Sequence, residues 1–133
     1  MKLDRGFFGR AAQMRDDAHK DALLAALLAI PGLTASTDRA AMTATVEKIW
    51  QDVAVLDLRT PLSKQKYTLM YLTQVRWMKN PTHLAYAARM IGTPDQNWRI
   101  ESGIAAVYAN VVAPHYLAEP LIAFIAKEEA ASR

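Results

Sequence analysis

Six prolines, at positions 31, 61, 81, 94, 114 and 120, divide this chain into short segments. Proline has no backbone N–H and clashes inside a helix, yet it suits the first helical position. Thr60-Pro61 and Asn80-Pro81 therefore each end one helix and open the next. Gly92 followed by Thr93-Pro94-Asp95-Gln96 is the strongest local signal. Glycine ends a helix there, and Thr93 with Gln96 has the spacing of a capping box. Pro31-Gly32 stops the first helix, Ala113-Pro114 breaks the fifth, and Pro120 kinks or restarts the last.

Between these breaks, apolar residues recur at helical spacing. A first helix over about 9–30 places Leu23, Leu27 and Ile30 on one face and Leu24 and Leu28 on another. Met42, Val46, Ile49, Val53 and Leu56 form the stripe of a second helix. The third, 61–79, is expected to bury Tyr67, Met70, Tyr71, Val75 and Met78 and to expose Gln65, Lys66, Thr73, Arg76 and Lys79, with Trp77 at the border. In 81–91, Leu84, Ala87, Ala88 and Ile91 should face in while Tyr86 and Arg89 face out. Ile100, Ile104, Val107, Tyr108 and Val111 follow, then Leu117, Leu121, Phe124 and Ile125. No stretch has sustained strand alternation or a hairpin turn signal. The sequence predicts an all-α fold, an orthogonal bundle of five or six helices.

A length of 133 residues fits one domain with its own core, spanning 1–133. Residues 1–8 read as a basic lead-in whose Phe7-Phe8 pair folds onto the core, the alternative being a membrane or partner anchor. Residues 127–133 read as a fraying tail. For 61–126 a second architecture competes. Shifting 61–93 by 33 positions matches Pro61 with Pro94, Pro81 with Pro114, Tyr71 with Ile104, Val75 with Tyr108 and Met78 with Val111. Thirty-three residues is the size of a helical solenoid unit, but two copies are fewer than such arrays require, which favours the bundle.

Charge is distributed unevenly. Leu58 to Pro94 contains no Asp or Glu but carries Arg59, Lys64, Lys66, Arg76, Lys79 and Arg89. The flanking segments are slightly acidic, so this stretch holds the whole excess of a chain with net charge +3. A concentrated positive field attracts an acidic partner and makes the encounter salt-sensitive. The competing expectation is solvated cations, or pairing with Asp52, Asp57 or Glu101.

Several chemistries lack their residues. There is no cysteine, which excludes disulfides and thiolate ligands and fits a reducing, cytoplasmic setting. The longest apolar run, Ala22 to Ile30, is far short of the about 20 residues of a membrane span. No serine sits in a glycine-flanked elbow and no glycine-rich phosphate loop occurs. Asp16 and His19 lie three apart, but the remaining ligands of a di-metal bundle are missing. No enzyme, cofactor or metal is expected.

The sequence therefore points to a non-enzymatic protein-interaction module (adaptor, assembly factor or inhibitor) that meets an acidic protein surface. Lys64, Lys66, Arg76, Trp77, Lys79, Tyr86 and Arg89 are its candidate contacts, with Trp77 and Tyr86 as apolar anchors. Two alternatives remain. One is nucleic-acid binding, in which the helix pair 61–79/81–91 meets phosphates. The other is oligomerisation through the Ala/Leu face of 22–30.

Overall fold

A computed structural model describes residues 5–29, 39–53, 58, 60–91 and 100–132, with side chains of the first segment from Asp16 onward. The chain is all-α over these residues, a helical bundle. Its helices are α1 (Arg5–Ala29), α2 (Arg39–Asp52), α3 (Pro61–Trp77), α4 (Pro81–Ile91), α5 (Ile100–Val107), α6 (Ala113–Tyr116) and α7 (Glu119–Ala131). A π-helical segment, Tyr108–Val112, joins α5 to α6 without a break.

The punctuation acts through hydrogen bonds. Thr60 is extended and caps α3: its Oγ1 accepts the Ser63 N–H at 3.1 Å, and Pro61 occupies the first turn. Asn80 does the same for α4, its Oδ1 accepting the Thr82 and His83 N–H groups at 3.0 and 3.1 Å. At Pro114 the chain continues. The ring would crowd the carbonyl four residues back, and the helix widens there instead, with the Ala113 N–H donating to the Tyr108 carbonyl five residues earlier. The capping box at 93–96, the stop at 31–32, Leu56 and Arg59 lie outside the described residues.

Two boundaries differ from the sequence reading. Helix α1 begins at Arg5, within the expected lead-in. Helix α7 runs to Ala131, through the expected fraying tail. Its end is tied down, the Ser132 N–H donating to the carbonyls of Glu128 and Glu129.

The buried apolar residues form one cluster. Leu23, Leu24 and Leu27 come from α1; Met42, Val46 and Ile49 from α2, followed by Val53. Ile104, Val107, Tyr108, Val111 and Val112 come from α5 and the π segment, and Leu121 and Ile125 from α7. These are the stripes that the periodicity predicts. Helix α3 runs through the middle, packing against α1, α2, α5, the π segment, α6 and α7.

On α3 the expected face holds at buried Met70 and half-buried Tyr67 and fails at Tyr71, Val75 and Met78. Its buried side chains are Gln65, Thr68, Leu69, Met70, Thr73 and Trp77. Tyr71, Val75 and Met78 are exposed, at 45%, 71% and 45%. A helix enclosed on most sides can bury polar groups that are hydrogen-bonded. The Thr68 hydroxyl donates to the Lys64 carbonyl at 2.7 Å and accepts the Trp50 indole N–H at 3.0 Å. The Thr73 hydroxyl donates to the Leu69 carbonyl at 2.7 Å, and the Trp77 indole N–H to the Met70 carbonyl at 3.1 Å. Gln65 Nε2 donates to the His19 carbonyl at 3.1 Å, while its Oε1 has no partner among the described residues. With its N–H satisfied, the indole brings more apolar area to the core than Val75 or Met78 would.

Helix α4 also departs from expectation. Ala87 is its buried residue, and Leu84 and Ile91 are exposed. The 33-residue correspondence fails on the same residues. It pairs exposed Tyr71, Val75 and Met78 with buried Ile104, Tyr108 and Val111.

Helix α4 is held against α5 by close backbone approach. A Cβ on buried Gly103 would lie 2.6 Å from the Met90 carbonyl oxygen, a backbone atom that cannot rotate away. Helix propensity alone favours alanine over glycine by about 1 kcal/mol, so the sign of a substitution is diagnostic. Gly103→Ala should destabilise the fold by about 1–3 kcal/mol, read as a lower midpoint in urea denaturation.

Candidate functional site

The acid-free stretch does not form one basic face. Lys64 and Lys66 lie two apart on α3 and so point to different sides of it. Lys64 Nζ pairs with Asp16 of α1 and lies 5.8 Å from the Trp50 ring centroid. Lys66 Nζ pairs with Glu129 of α7 at 2.9 Å and sits 5.3 Å from the Tyr108 ring. Both ammonium groups are largely buried in these contacts, and their acids come from α1 and α7 rather than from Asp52 or Glu101.

Neighbouring charges extend the network. Lys20 bridges Asp17 at 3.3 Å and Glu47 of α2 at 3.0 Å. Burial alone would lower the Lys20 pKa, but hydrogen bonds and charge from Glu47 and Asp17 outweigh it and hold the group above the ordinary lysine value. His19 Nδ1 meets Glu128 Oε2 at 3.0 Å, tying α1 to α7 beside a cavity of about 390 Å³ lined by Thr60, Pro61, Leu62 and Ala131. Asp16 and His19, the metal-like pair of the sequence, thus turn to separate partners on α3 and α7. Among the described residues no three His, Asp or Glu side chains converge as a metal site.

Trp77 also leaves the candidate surface. At 7% exposure it belongs to the core, and it helps to line a cleft of about 170 Å³. Tyr67, Met70, Tyr71, Gln74 and Ile91 line the rest of that cleft. Tyr86 and Arg89 stay together on α4, the guanidinium 5.5 Å from the phenol ring, beside a hollow that includes Pro81, Thr82 and Ala85. The Tyr86 hydroxyl accepts an N–H from Asn110 Nδ2 at 2.7 Å. It is half-buried and anchored to the bundle.

Arg76 and Lys79 remain exposed, without an ion pair among the described residues. They stand beside the apolar side chains that the sequence assigned to the core. At about 100° per residue, Val75 is central, with Tyr71 and Met78 on one flank and Lys79 and Arg76 on the other. The cleft that joins Tyr71 to Ile91 carries the apolar surface across to α4, where Leu84 is exposed one helical face along. The site is therefore an apolar stripe with a cationic edge. Its signal in the sequence was Trp77, which competes with Met78 for the core and has the larger area to bury.

Comparison with protein-family models, with characterised proteins and with solved structures finds no match. Among the described residues no helix is long and apolar enough to cross a membrane.

Two predictions test the electrostatic frame. Reversing one partner of the half-buried α1–α3 pair, by Lys64→Asp or Asp16→Lys, should lower stability. The swapped double variant should recover a coupling of about 1 kcal/mol in a double-mutant cycle. Tyr108 supplies the second. Burial, and then the charge of Glu129, push its phenol well above the ordinary value of 10.0. The folded state therefore keeps this proton where the unfolded chain loses it. Its contribution is full below pH about 10 and is lost progressively as the pH rises further. Urea midpoints should fall on alkaline titration above about pH 10, and Tyr108→Phe should flatten that fall.

Proposed function

We propose that this protein is a non-enzymatic interaction module whose docking surface is the C-terminal half of α3 together with the adjoining face of α4. The observation that supports this reading is the exposed stripe Tyr71, Val75 and Met78, at helical spacing, beside Arg76 and Lys79. Contiguous apolar surface with a polar rim is the usual form of a protein-interaction site.

Magnitudes assign the roles. Fully burying a Val- or Met-sized side chain is worth about 1.5–3 kcal/mol, whereas an exposed ion pair contributes about 0.2–1 kcal/mol. The stripe supplies affinity; Arg76 and Lys79 supply orientation and encounter rate. The occupant that fits is an amphipathic helix of another protein, with an apolar face for the stripe and acidic residues along its edge. A second copy docked antiparallel fits poorly, since a two-fold axis across the helix sets the cationic edge against itself.

The two alternative readings have weaker support. Nucleic-acid binding loses Lys64 and Lys66 to Asp16 and Glu129, leaving few cations on the α3–α4 pair. The Ala/Leu face of 22–30 has Leu23, Leu24 and Leu27 already buried within the chain. With no cysteine to protect or pair, the reading places the protein in the cytoplasm.

A synthetic helix with leucines on one face and glutamates along its edges, titrated by fluorescence anisotropy, tests the proposal. The expected result is binding that weakens with salt, and a loss of about tenfold or more in Val75→Asp. Thermal stability should barely change in that variant, because Val75 is 71% exposed. Equal binding of a twin peptide with lysines for glutamates would overturn the acidic partner. A dimer in sedimentation velocity that Val75→Asp dissolves would assign the surface to a second copy. Duplex DNA binding abolished by Arg76→Glu/Lys79→Glu would restore the nucleic-acid reading.

A further inference from the structure

The two C-terminal histidines, 32 positions apart in sequence, meet in the fold. His83 lies in the first turn of α4 and His115 on α6, just past the π segment and Pro114. Their ring centroids are 4.6 Å apart with planes tilted by 36°. His83 Nδ1 is 2.7 Å from the Tyr116 hydroxyl, and the two rings pack edge to face at 5.4 Å. We propose that His83 and His115 form a two-imidazole site for a divalent first-row transition ion of the zinc or copper class, oriented by Tyr116.

The spacing suits a shared ion. Imidazole nitrogens bind zinc at about 2.0–2.1 Å, so two rings on one ion at ligand angles between square and tetrahedral have centroids roughly 4.5–5 Å apart. The observed 4.6 Å between the two centroids falls in that range. The orienting partner is already present. A metal-bound imidazole ordinarily donates its other N–H to a neighbouring acceptor, which fixes tautomer and ring direction. Here the Tyr116 hydroxyl stands 2.7 Å from Nδ1, and in the tautomer with its proton on Nδ1 the phenol oxygen accepts it and Nε2 of His83 is left for the ion. His115 is exposed and His83 half-buried, so the ion has access and water completes its shell.

The donor set decides the class of ion. Imidazole nitrogen suits zinc, copper and nickel, whereas calcium and magnesium require several oxygens. The site also has a structural consequence. Helix α4 has one buried residue, Ala87, so a metal bridge from His83 to His115 fastens its first turn to α6. This inference uses none of the stripe residues Tyr71, Val75 and Met78.

The test is isothermal titration of tag-free protein with zinc chloride, alongside thermal unfolding with and without zinc. The expected result is one zinc per chain and a higher Tm with zinc. His83→Gln and His115→Gln should each weaken binding at least about tenfold and abolish the Tm rise. Tyr116→Phe keeps both ligands and should weaken binding about tenfold through loss of the orienting hydroxyl. Zinc binding unchanged in either glutamine variant would overturn the proposal, as would absence of binding to the wild type or equal competition by magnesium. His115→Gln alters an exposed side chain, so it tests the site without threatening the fold.

Discussion

The rotation of α3 about its own axis decides most of what this molecule presents to solvent, and two lysines fix it. Lys64 reaches Asp16 on α1 and Lys66 reaches Glu129 on α7, from opposite sides of the same helical turn. Between them Gln65 bonds the His19 carbonyl, and further along Trp77 bonds the Met70 carbonyl. With these contacts made, Leu69, Thr73 and Trp77 face the core and Tyr71, Val75 and Met78 face out. Each ion pair alone is worth little. Together they set a direction, and the burial of the indole supplies the energy.

The same cations carry two different duties that their sequence neighbourhood does not distinguish. Lys64 and Lys66 join helices, whereas Arg76 and Lys79, about three to four turns along, meet solvent. The acids that neutralise the first pair lie 48 and 63 positions away in the chain. An acid-free window measures local composition, while pairing is set by which helices touch. The positive charge left to a partner is therefore smaller and more localised than the sequence implies, and it gains an apolar neighbour that the sequence had placed inside.

Helix starts, and the stripes of α2, α5 and α7, were legible because they depend on local chemistry. A capping oxygen and a proline act within one turn, and a helix that packs on one side must be apolar on that side. The faces of α3 and α4 were not. A helix enclosed on most sides obeys hydrogen-bond satisfaction rather than hydropathy, so Thr68 and Thr73 are buried by bonding back to their own helix. Helix α4 approaches α5 backbone to backbone at Gly103, and Leu84 and Ile91 stay exposed although the periodicity assigns them to the core. Proline at 114 implies a break, yet the π segment carries the chain through it, bringing His115 and Tyr116 to His83.

By itself the sequence determined that this chain is helical, where α3 and α4 begin, and which residues of the outer helices form the core. These follow from interactions within a few residues of each other. Only the tertiary structure decided which side of α3 is the surface, which lysines are free to meet a partner, and that two distant histidines share one corner. Each of those depends on groups brought together by packing from far apart in the chain, and hydrophobic periodicity carries no information about them.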